Sequence, residues 1–291
     1  MLQTLKVALL RSYYRFANWQ AWRAGNVHDT PGALELTGPA GTVRAHLYRG
    51  EHAAERPLVV YFHGGGWVIG DLQTHHAYCT ALARDSGASV IAVDYRRAPE
   101  HPFPAAQDDC LAAVAAIAER HADFGGDSGG LILAGDSAGG HLALSTALEA
   151  DAGLAATIRG LLLTYPVVDH YTRGYASYIE CATGQVLTSD LMRWFWDTYL
   201  AGADPDDAGT RRAFPIRSPR LATLPPAIVC TAGHDPLRDE GGALVEALKE
   251  AGVEVEFEHY PDSAHGFACS EGPTEDYAAW LARCSEWIAG R

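Results

Sequence analysis

A serine between two glycines lies where an apolar run gives way to a helix-forming stretch. Residues 135–139 read Gly-Asp-Ser-Ala-Gly, after the apolar residues 131–134 and before the helix-forming residues 141–150. This pattern is typical of a strand-to-helix turn that exposes a serine hydroxyl as a nucleophile. The turn is sharp, so a Cβ atom on either flank would collide with the neighbouring strand or helix. We therefore interpret Ser137 as a nucleophile at the positive end of a helix.

Three further segments supply the groups that such a serine needs, and each follows a strand-like run. Residues 63–66 read His-Gly-Gly-Gly, where bare backbone N–H groups can approach an oxyanion. Asp235 and His265 follow two later runs in the chain. His265 would take the serine proton as general base, and Asp235 would orient and stabilise the imidazole ring. The sequence therefore predicts acyl transfer by Ser137, His265 and Asp235.

Backbone N–H groups near the serine are needed to hold the alkoxide that forms when an ester carbonyl is attacked. We expect Gly64, Gly65 and Ala138 to supply them, with Gly66 as an alternative to one of these donors. A single donor of this kind typically lowers the barrier by about 3 kcal/mol, which is roughly a hundredfold in rate. Trp67 follows the glycines directly, and we expect its ring to contact the substrate.

Three other residues have competing interpretations. Residues 126–130 read Gly-Asp-Ser-Gly-Gly, as around the nucleophile of trypsin-like proteases, but helical patterns flank the segment and those domains are all-β. We interpret Ser128 as a loop residue. Asp169 also follows a strand-like run, and spacing alone leaves it as a second candidate for the triad acid. His63 is interpreted as a brace for the glycine loop, because one triad needs one base.

Strand and helix patterns alternate over residues 58–164, as in a parallel sheet covered by helices on both faces. Residues 33–48 predict a hairpin ahead of it. Residues 169–224 interrupt the alternation with turns and an aromatic-rich helix. Residues 1–30 include an amphipathic helix, which we expect to pack on the domain rather than lie on a membrane. We interpret residues 1–291 as one domain, with cap elements at about 1–30 and 169–224.

The composition of the chain limits the partners and the cellular location that we expect. The chain is 48% hydrophobic, which is ample for a core, and its formal charge is −14. Because this charge repels phosphate backbones and anionic headgroups, we expect no nucleic-acid or membrane partner. The six cysteines lack Cys-x-x-Cys spacing and the thirteen histidines form no metal-binding pattern, so we expect no metal and no cofactor. We interpret His75 as a solvated or capping residue. The apolar patch at 7–10 is too short for a signal peptide, which favours the cytoplasm.

Four strings resemble the bacterial hormone-sensitive-lipase-like family of carboxylesterases, within the α/β-hydrolase fold. Residues 95–106 match a further stretch of that family, and the resemblance runs from about residue 40 to the end. Two departures are visible, since the family usually has leucine in place of Arg97 and asparagine in place of His141. The four strings are His-Gly-Gly-Gly-Trp at 63–67, Gly-Asp-Ser-Ala-Gly-Gly at 135–140, Asp-Pro-Leu-Arg-Asp-Glu at 235–240 and His-Gly-Phe at 265–267.

The resemblance implies an α/β protein with a mostly parallel eight-stranded sheet flanked by helices. It implies a helical cap, from the N-terminus and from the insertion before the strand that leads to Asp235. It also implies a cofactor-free serine carboxylic ester hydrolase, and the modest aromatic cap favours small, uncharged, short- to medium-chain acyl esters. Amide or N-acetyl hydrolysis by the same triad is the alternative, and a non-catalytic binding protein of this fold is another. Family analogy alone suggests a homodimer through the final strand.

Overall fold

A single eight-stranded sheet organises the computed structural model, which describes residues 2–22, 30–125, 130–269 and 272–291. Its spatial order is β1-β2-β4-β3-β5-β6-β7-β8, with antiparallel pairing of β1 to β2 and of β2 to β4 and parallel pairing elsewhere. The predicted α/β fold and the predicted hairpin are confirmed. The strands are β1 (Gly32–Gly38), β2 (Gly41–Tyr48), β3 (Leu58–Phe62), β4 (Val90–Asp94), β5 (Leu131–Asp136), β6 (Ile158–Thr164), β7 (Ala227–His234) and β8 (Val255–Ala264).

Helices cover both faces of this sheet and fill the interval between β6 and β7. Short 3-10 turns make up much of the remaining chain in that interval, for example Ala208–Ala213. The helices are α1 (Leu2–Trp22), α2 (His76–Ser86), α3 (Ala105–Glu119), α4 (Ala138–Glu149), α5 (Ala152–Ala155), α6 (Ser177–Glu180), α7 (Ser189–Leu200), α8 (Arg238–Glu250) and α9 (Glu275–Ala289).

Strand β3 shows why the central strands read as unbroken apolar runs. Val60 and Phe62 pack into a core with α3, α4 and α8, whereas Val59 and Tyr61 pack into a second core with α2 and α9. Every residue of β3 is therefore buried, because successive side chains point to opposite faces of a sheet that is covered on both sides. Burial of this kind fixes the strand ends from which the site is built.

The ends of β3, β5, β7 and β8 meet at one edge of the sheet, because these strands run parallel. The loops that carry the glycines, Ser137, Asp235 and His265 all leave from this edge. The alternative nucleophile Ser128 and residues 23–29 of the predicted cap lie outside the described residues. The division into one domain with two cap elements stays a prediction.

All six cysteines are buried, and each thiol is free. Burial raises the pKa of thiols such as Cys79 and Cys110 well above the ordinary value, so these side chains act as small apolar groups in the core. Within the described part of the chain, no helix combines the length and the apolar character needed to span a bilayer.

Candidate active site

Ser137 occupies a strained turn between β5 and α4. Its backbone has φ 54° and ψ −120°, and its N–H donates to the Thr164 carbonyl oxygen at 2.8 Å. A Cβ atom on Gly135 would lie 2.4 Å from the Gly139 backbone, and one on Gly139 would lie 1.9 Å from the Phe62 oxygen. The predicted need for glycine on both flanks is confirmed. Packing on the neighbouring strand and helix holds the serine in a conformation that few side chains adopt.

Ser137, His265 and Asp235 form a continuous hydrogen-bonded chain. The serine Oγ lies 3.0 Å from His265 Nε2, and His265 Nδ1 lies 2.7 Å from Asp235 Oδ2. Asp235 is fully buried, and its other oxygen accepts from the Leu237 N–H at 2.9 Å. A carboxylate can only accept, so Nδ1 carries the proton and Nε2 is left to accept from the serine hydroxyl. The arrangement can therefore move the hydroxyl proton to the imidazole.

Tyr165, which the sequence did not single out, packs against the His265 ring. It follows β6 directly, is buried, and has a left-handed backbone with φ 35°. The two ring centroids are 4.6 Å apart at an interplanar angle of 53°. This contact limits the rotation of the imidazole, which the hydrogen bond to Asp235 alone would leave free to swing.

Asp169, the rival candidate for the acid, is occupied elsewhere. Its Oδ1 accepts from the Arg217 guanidinium at 2.7 Å, and the Tyr175 hydroxyl donates to its Oδ2 at 3.4 Å. Its Oδ1 also accepts from the backbone N–H of His170 at 2.8 Å. The structure thus brings Asp235, and not Asp169, to the ring of His265.

The glycine loop after β3 places its N–H groups differently from the prediction. The Gly64 N–H donates to Asp136 Oδ1 at 2.8 Å, and a Cβ atom on Gly64 would lie 2.2 Å from the same carboxylate. The prediction that Gly64 donates to an oxyanion is therefore wrong, since its proton is already bonded. Among the hydrogen bonds of the described residues, the N–H groups of Gly65, Gly66 and Ala138 have no acceptor.

Asp136 holds the glycine loop in place through a buried network of hydrogen bonds. Its Oδ1 accepts from the Tyr61 hydroxyl at 2.7 Å and lies 3.2 Å from His75 Nε2. Burial alone would raise the pKa of Asp136, but His75 and the hydrogen bonds from Tyr61 and Gly64 outweigh it and lower that pKa. His75 is 1% exposed, so its interpretation as a solvated residue is wrong. It does occupy the N-cap position of α2, as the capping alternative implies, but its side chain makes no capping hydrogen bond. No sequence pattern predicts the contact between His75 and Asp136, because it joins segments that lie far apart in the chain.

One grouping of potential metal ligands occurs among the described residues, and it overlaps this network. The ligand atoms of His75, Asp136 and Cys269 lie within 4.8 Å of one another, all of them buried. Asp136 already accepts from Tyr61 and Gly64, and the Cys269 Sγ lies 3.5 Å from the Tyr61 oxygen. The hydrogen bonds of this group therefore hold the glycine loop in place.

His63 braces the same loop from the other side, as predicted. Its Nδ1 lies 2.8 Å from the Gly64 carbonyl oxygen, and its ring stacks on Tyr95 with centroids 4.3 Å apart. The Tyr95 hydroxyl donates to the His63 carbonyl oxygen at 2.7 Å. His63 is therefore confirmed as a structural support of the glycine loop.

Trp67 follows the glycine loop directly, and its side chain has no exposed surface. Its indole stacks on Tyr199 of α7, with centroids 4.3 Å apart and planes 10° apart. The indole N–H donates to His141 Nδ1 at 3.1 Å, and His141 Nε2 donates in turn to the Ala213 oxygen at 3.0 Å. A ring without exposed surface cannot line an open pocket, so we assign Trp67 to support of the loop in place of substrate contact.

Acidification below about pH 6.5 is expected to weaken the fold through His63 and His141. Burial lowers the pKa of both rings from 6.5 to about 4. As the pH falls through that interval, the unfolded chain binds protons that the folded chain excludes. The contribution of these two rings to the free energy of unfolding is constant above the interval and decreases within it, by up to about 1.4 kcal/mol per pH unit for each ring.

Urea unfolding between about pH 7.5 and about pH 5 measures this slope. The matched variant is His141→Asn, because an amide can accept from the Trp67 indole N–H and donate to the Ala213 oxygen without titrating. Its slope should be shallower by about one proton. An identical slope in both proteins would contradict a neutral, buried His141.

Fold and site together define a class of protein: an α/β hydrolase with a serine at the strand-to-helix turn. The α/β hydrolase fold family matches residues 59–269. The chain belongs to this family, as its resemblance to the hormone-sensitive-lipase-like esterases predicted. That match includes the glycine loop, the serine turn, Asp235 and His265.

Curated proteins and solved structures agree with this assignment. The chain is 38% identical over 255 residues to the carboxylic ester hydrolase LipN of Mycobacterium tuberculosis, covering 85% of this chain and 67% of that protein. It is 37% identical over 240 residues to the ethyl acetate hydrolase of Pseudomonas putida, covering 80% and 74%. The structure superposes on a hyperthermophilic esterase from the archaeon Pyrobaculum calidifontis with a TM-score of 0.90 and 36% identity, over 98% and 91% of the two chains.

Proposed function

We propose that this protein hydrolyses small, uncharged esters of short- to medium-chain acids through a triad of Ser137, His265 and Asp235. The observation that carries the proposal is the hydrogen-bonded chain from the serine Oγ through the imidazole to the buried carboxylate, at 3.0 Å and 2.7 Å. Distances of this size allow direct proton transfer between the serine and the imidazole.

The broad enzyme class follows from family membership. Similar curated proteins are named carboxylic ester hydrolase, esterase and carboxylesterase, at 38% to 40% identity. This chain is likewise a serine carboxylic ester hydrolase. The proposal adds the residues that act and the size of the substrate.

In the first half-reaction, Ser137 Oγ attacks the ester carbonyl carbon while its proton moves to His265 Nε2. The carbonyl oxygen becomes an alkoxide, which the N–H groups of Gly65, Gly66 and Ala138 hold in place. Collapse of this intermediate breaks the bond to the alcohol, which leaves with the proton from His265. Water then attacks the acyl-serine, with His265 as base, and releases the acid and the free hydroxyl.

The limit on acyl length is inferred from the ring of Phe195 on α7. A Cβ atom built on Gly66 would lie 2.2 to 2.6 Å from carbons of this ring, so the ring rests directly on the glycine loop. A long chain on that side would have to displace Phe195, which is 4% exposed. We include α7 within a cap formed by residues about 1–30 and 169–224, above the loop.

Replacement of Phe195 by alanine is expected to move the acyl preference towards longer chains. The wild-type protein should have its highest kcat/KM on p-nitrophenyl butyrate to octanoate, whereas Phe195→Ala should gain about tenfold on the palmitate ester relative to the butyrate ester. The control is Trp194→Ala, which removes the adjacent ring that lies 4.5 Å beneath Lys6 Nζ. A wild-type profile that rises steadily to palmitate would contradict the short-chain proposal.

Amide hydrolysis remains the second reaction that the same triad can perform, with a poorer leaving group. Rates on a p-nitroanilide and on the ester of the same acid distinguish the two. A larger kcat/KM on the anilide would favour the amidase alternative.

We also propose a cellular location and an oligomeric state for the protein. The free, buried thiols are typical of a reducing cytoplasm. β8 pairs with β7 alone in the sheet, so its outer edge offers backbone groups to a second copy of the chain. Sedimentation of the purified protein distinguishes a monomer from a homodimer.

A further inference from the structure

Helix α1 presents an apolar face to solvent. Its large apolar side chains recur at steps of four, four, three and three residues, which places them on one side of the helix. Each is between 53% and 70% exposed. We call this row the outer stripe; it consists of Leu5, Leu9, Tyr13, Phe16 and Trp19.

The opposite face of α1 packs against the body of the protein, with Val7 and Asn18 buried and arginines paired beside them. Arg11 donates to the Val68 carbonyl oxygen at 2.8 Å and to both oxygens of Glu100 at 2.9 Å and 2.8 Å. Arg15 forms an ion pair with Asp71. An amphipathic helix on a globular protein ordinarily buries its apolar side. Here the helix packs on the domain as predicted, through a face that includes the buried Val7 and Asn18 and the half-buried Arg11, and the outer stripe stays exposed.

The helix lies across the edge of the sheet that carries the site. Near its start, Lys6 Nζ sits 4.5 Å above the Trp194 ring of α7. At its end, the Trp22 indole donates to the carbonyl oxygen of Cys269, four residues beyond His265. Between these points, Arg11 holds Val68, which follows the glycine loop. The outer stripe is therefore carried on the same side of the molecule as the reacting serine.

We propose that the outer stripe docks the protein on an electrically neutral lipid surface. Its apolar area is on the order of 500 Å² by the usual size of such side chains, which is within the range of functional surface patches. A stable dimer needs about 800 Å² from each partner, so a second copy seated on this row alone would be held poorly. A flat lipid surface matches a straight row about 20 to 25 Å long.

The charge of the protein favours a neutral lipid surface over an anionic one. Helix α1 contains three cations and no acidic residue, and two of these cations are paired with Glu100 and Asp71. The stripe itself carries no charge, whereas the whole chain has a formal charge of −14, which repels anionic headgroups. Tyrosine, tryptophan, phenylalanine and leucine on one side of a helix are the composition of helices that lie in a lipid interface. Docking does not depend on hydrolysis, and it goes beyond the proposed function. It replaces the expectation from the net charge that the protein has no membrane partner.

Co-sedimentation with phosphatidylcholine vesicles tests the docking directly. The wild-type protein should partition onto these vesicles, and the double variant Leu9→Gln/Phe16→Gln should lose at least tenfold in partition constant. Both side chains are exposed, so the variant should keep its melting temperature and its kcat/KM on soluble p-nitrophenyl butyrate. The control is Phe257→Gln, which removes an apolar side chain that is 41% exposed on β8, and it should bind like the wild type.

Four results would overturn the proposal. The first is a wild-type protein that stays in the supernatant with phosphatidylcholine vesicles. The second is an equal loss of binding in Phe257→Gln, because binding would then not depend on the stripe. The third is a dimer in sedimentation-velocity runs that Leu9→Gln/Phe16→Gln dissociates, which would assign the stripe to a second copy. Stronger binding to phosphatidylglycerol vesicles would likewise contradict a neutral surface.

Discussion

Ser137→Ala is expected to lower kcat on p-nitrophenyl butyrate by about four to six orders of magnitude. The substitution removes the only atom that forms the acyl-enzyme in the proposed mechanism, and the remaining rate comes from the N–H donors alone. The fold should persist, because alanine keeps the Cβ atom that the turn at φ 54° already accommodates. Thermal melting and steady-state kinetics on the same preparation separate loss of chemistry from loss of structure.

The matched control for this prediction is Ser145→Ala, on the same helix that begins after the nucleophile. Ser145 is 2% exposed and its Oγ has no hydrogen-bond partner in the described part of the chain, so its removal should leave kcat within about twofold. A folded Ser137→Ala protein that retains more than about 1% of the wild-type kcat would show that another group attacks the ester.

The second large effect is expected from Asp235→Asn, which should lower kcat by about four orders of magnitude. An asparagine that donates its amide proton to His265 Nδ1 forces the ring proton onto Nε2. The imidazole then cannot accept the serine proton, although its position is unchanged. The kcat of the purified variant on p-nitrophenyl butyrate, compared with that of the wild type, measures the loss.

The matched control for Asp235→Asn is Asp169→Asn. Asp169 is held by Arg217 and Tyr175 and does not contact His265. Its substitution should cost about 1 to 3 kcal/mol in the free energy of unfolding and leave kcat within a few-fold. Loss of turnover in Asp169→Asn with activity retained in Asp235→Asn would assign the acid to Asp169 instead.

Much of the sheet and the positions of the three reactive side chains could be predicted because local patterns encode them. Apolar runs such as residues 58–62 are strands buried on both faces, and each reactive residue follows such a run. Parallel strands end at one edge, so residues far apart in sequence meet there. The glycines around Ser137 could be interpreted from sterics alone.

The direction of the Gly64 N–H could not be predicted, because it depends on a carboxylate 72 residues away. The same limit applies to Trp67, whose partners Tyr199 and His141 come from two other helices. The position of Trp67 next to the glycine loop therefore did not predict the direction in which its indole ring faces. Contacts between distant segments decided both cases.

The orientation of α1 was also beyond the sequence. Its three- and four-residue spacing predicted an amphipathic helix, and the usual expectation buries the apolar side. The face that packs contains the buried Val7 and Asn18. Beside it, Arg11 and Arg15 pair with Glu100 and Asp71, which lie in loops 56 or more residues away. Local amphipathicity defines two faces but does not determine which of them packs.

Covalent labelling by an alkyl fluorophosphonate tests the central claim most directly. The reagent phosphonylates a serine only where a general base and oxyanion donors activate the hydroxyl. Mass spectrometry of the folded wild-type protein should find one adduct per chain, on the peptide that contains Ser137, and none in Ser137→Ala. An unlabelled wild-type protein, or an adduct that persists in Ser137→Ala, would contradict the proposed active site.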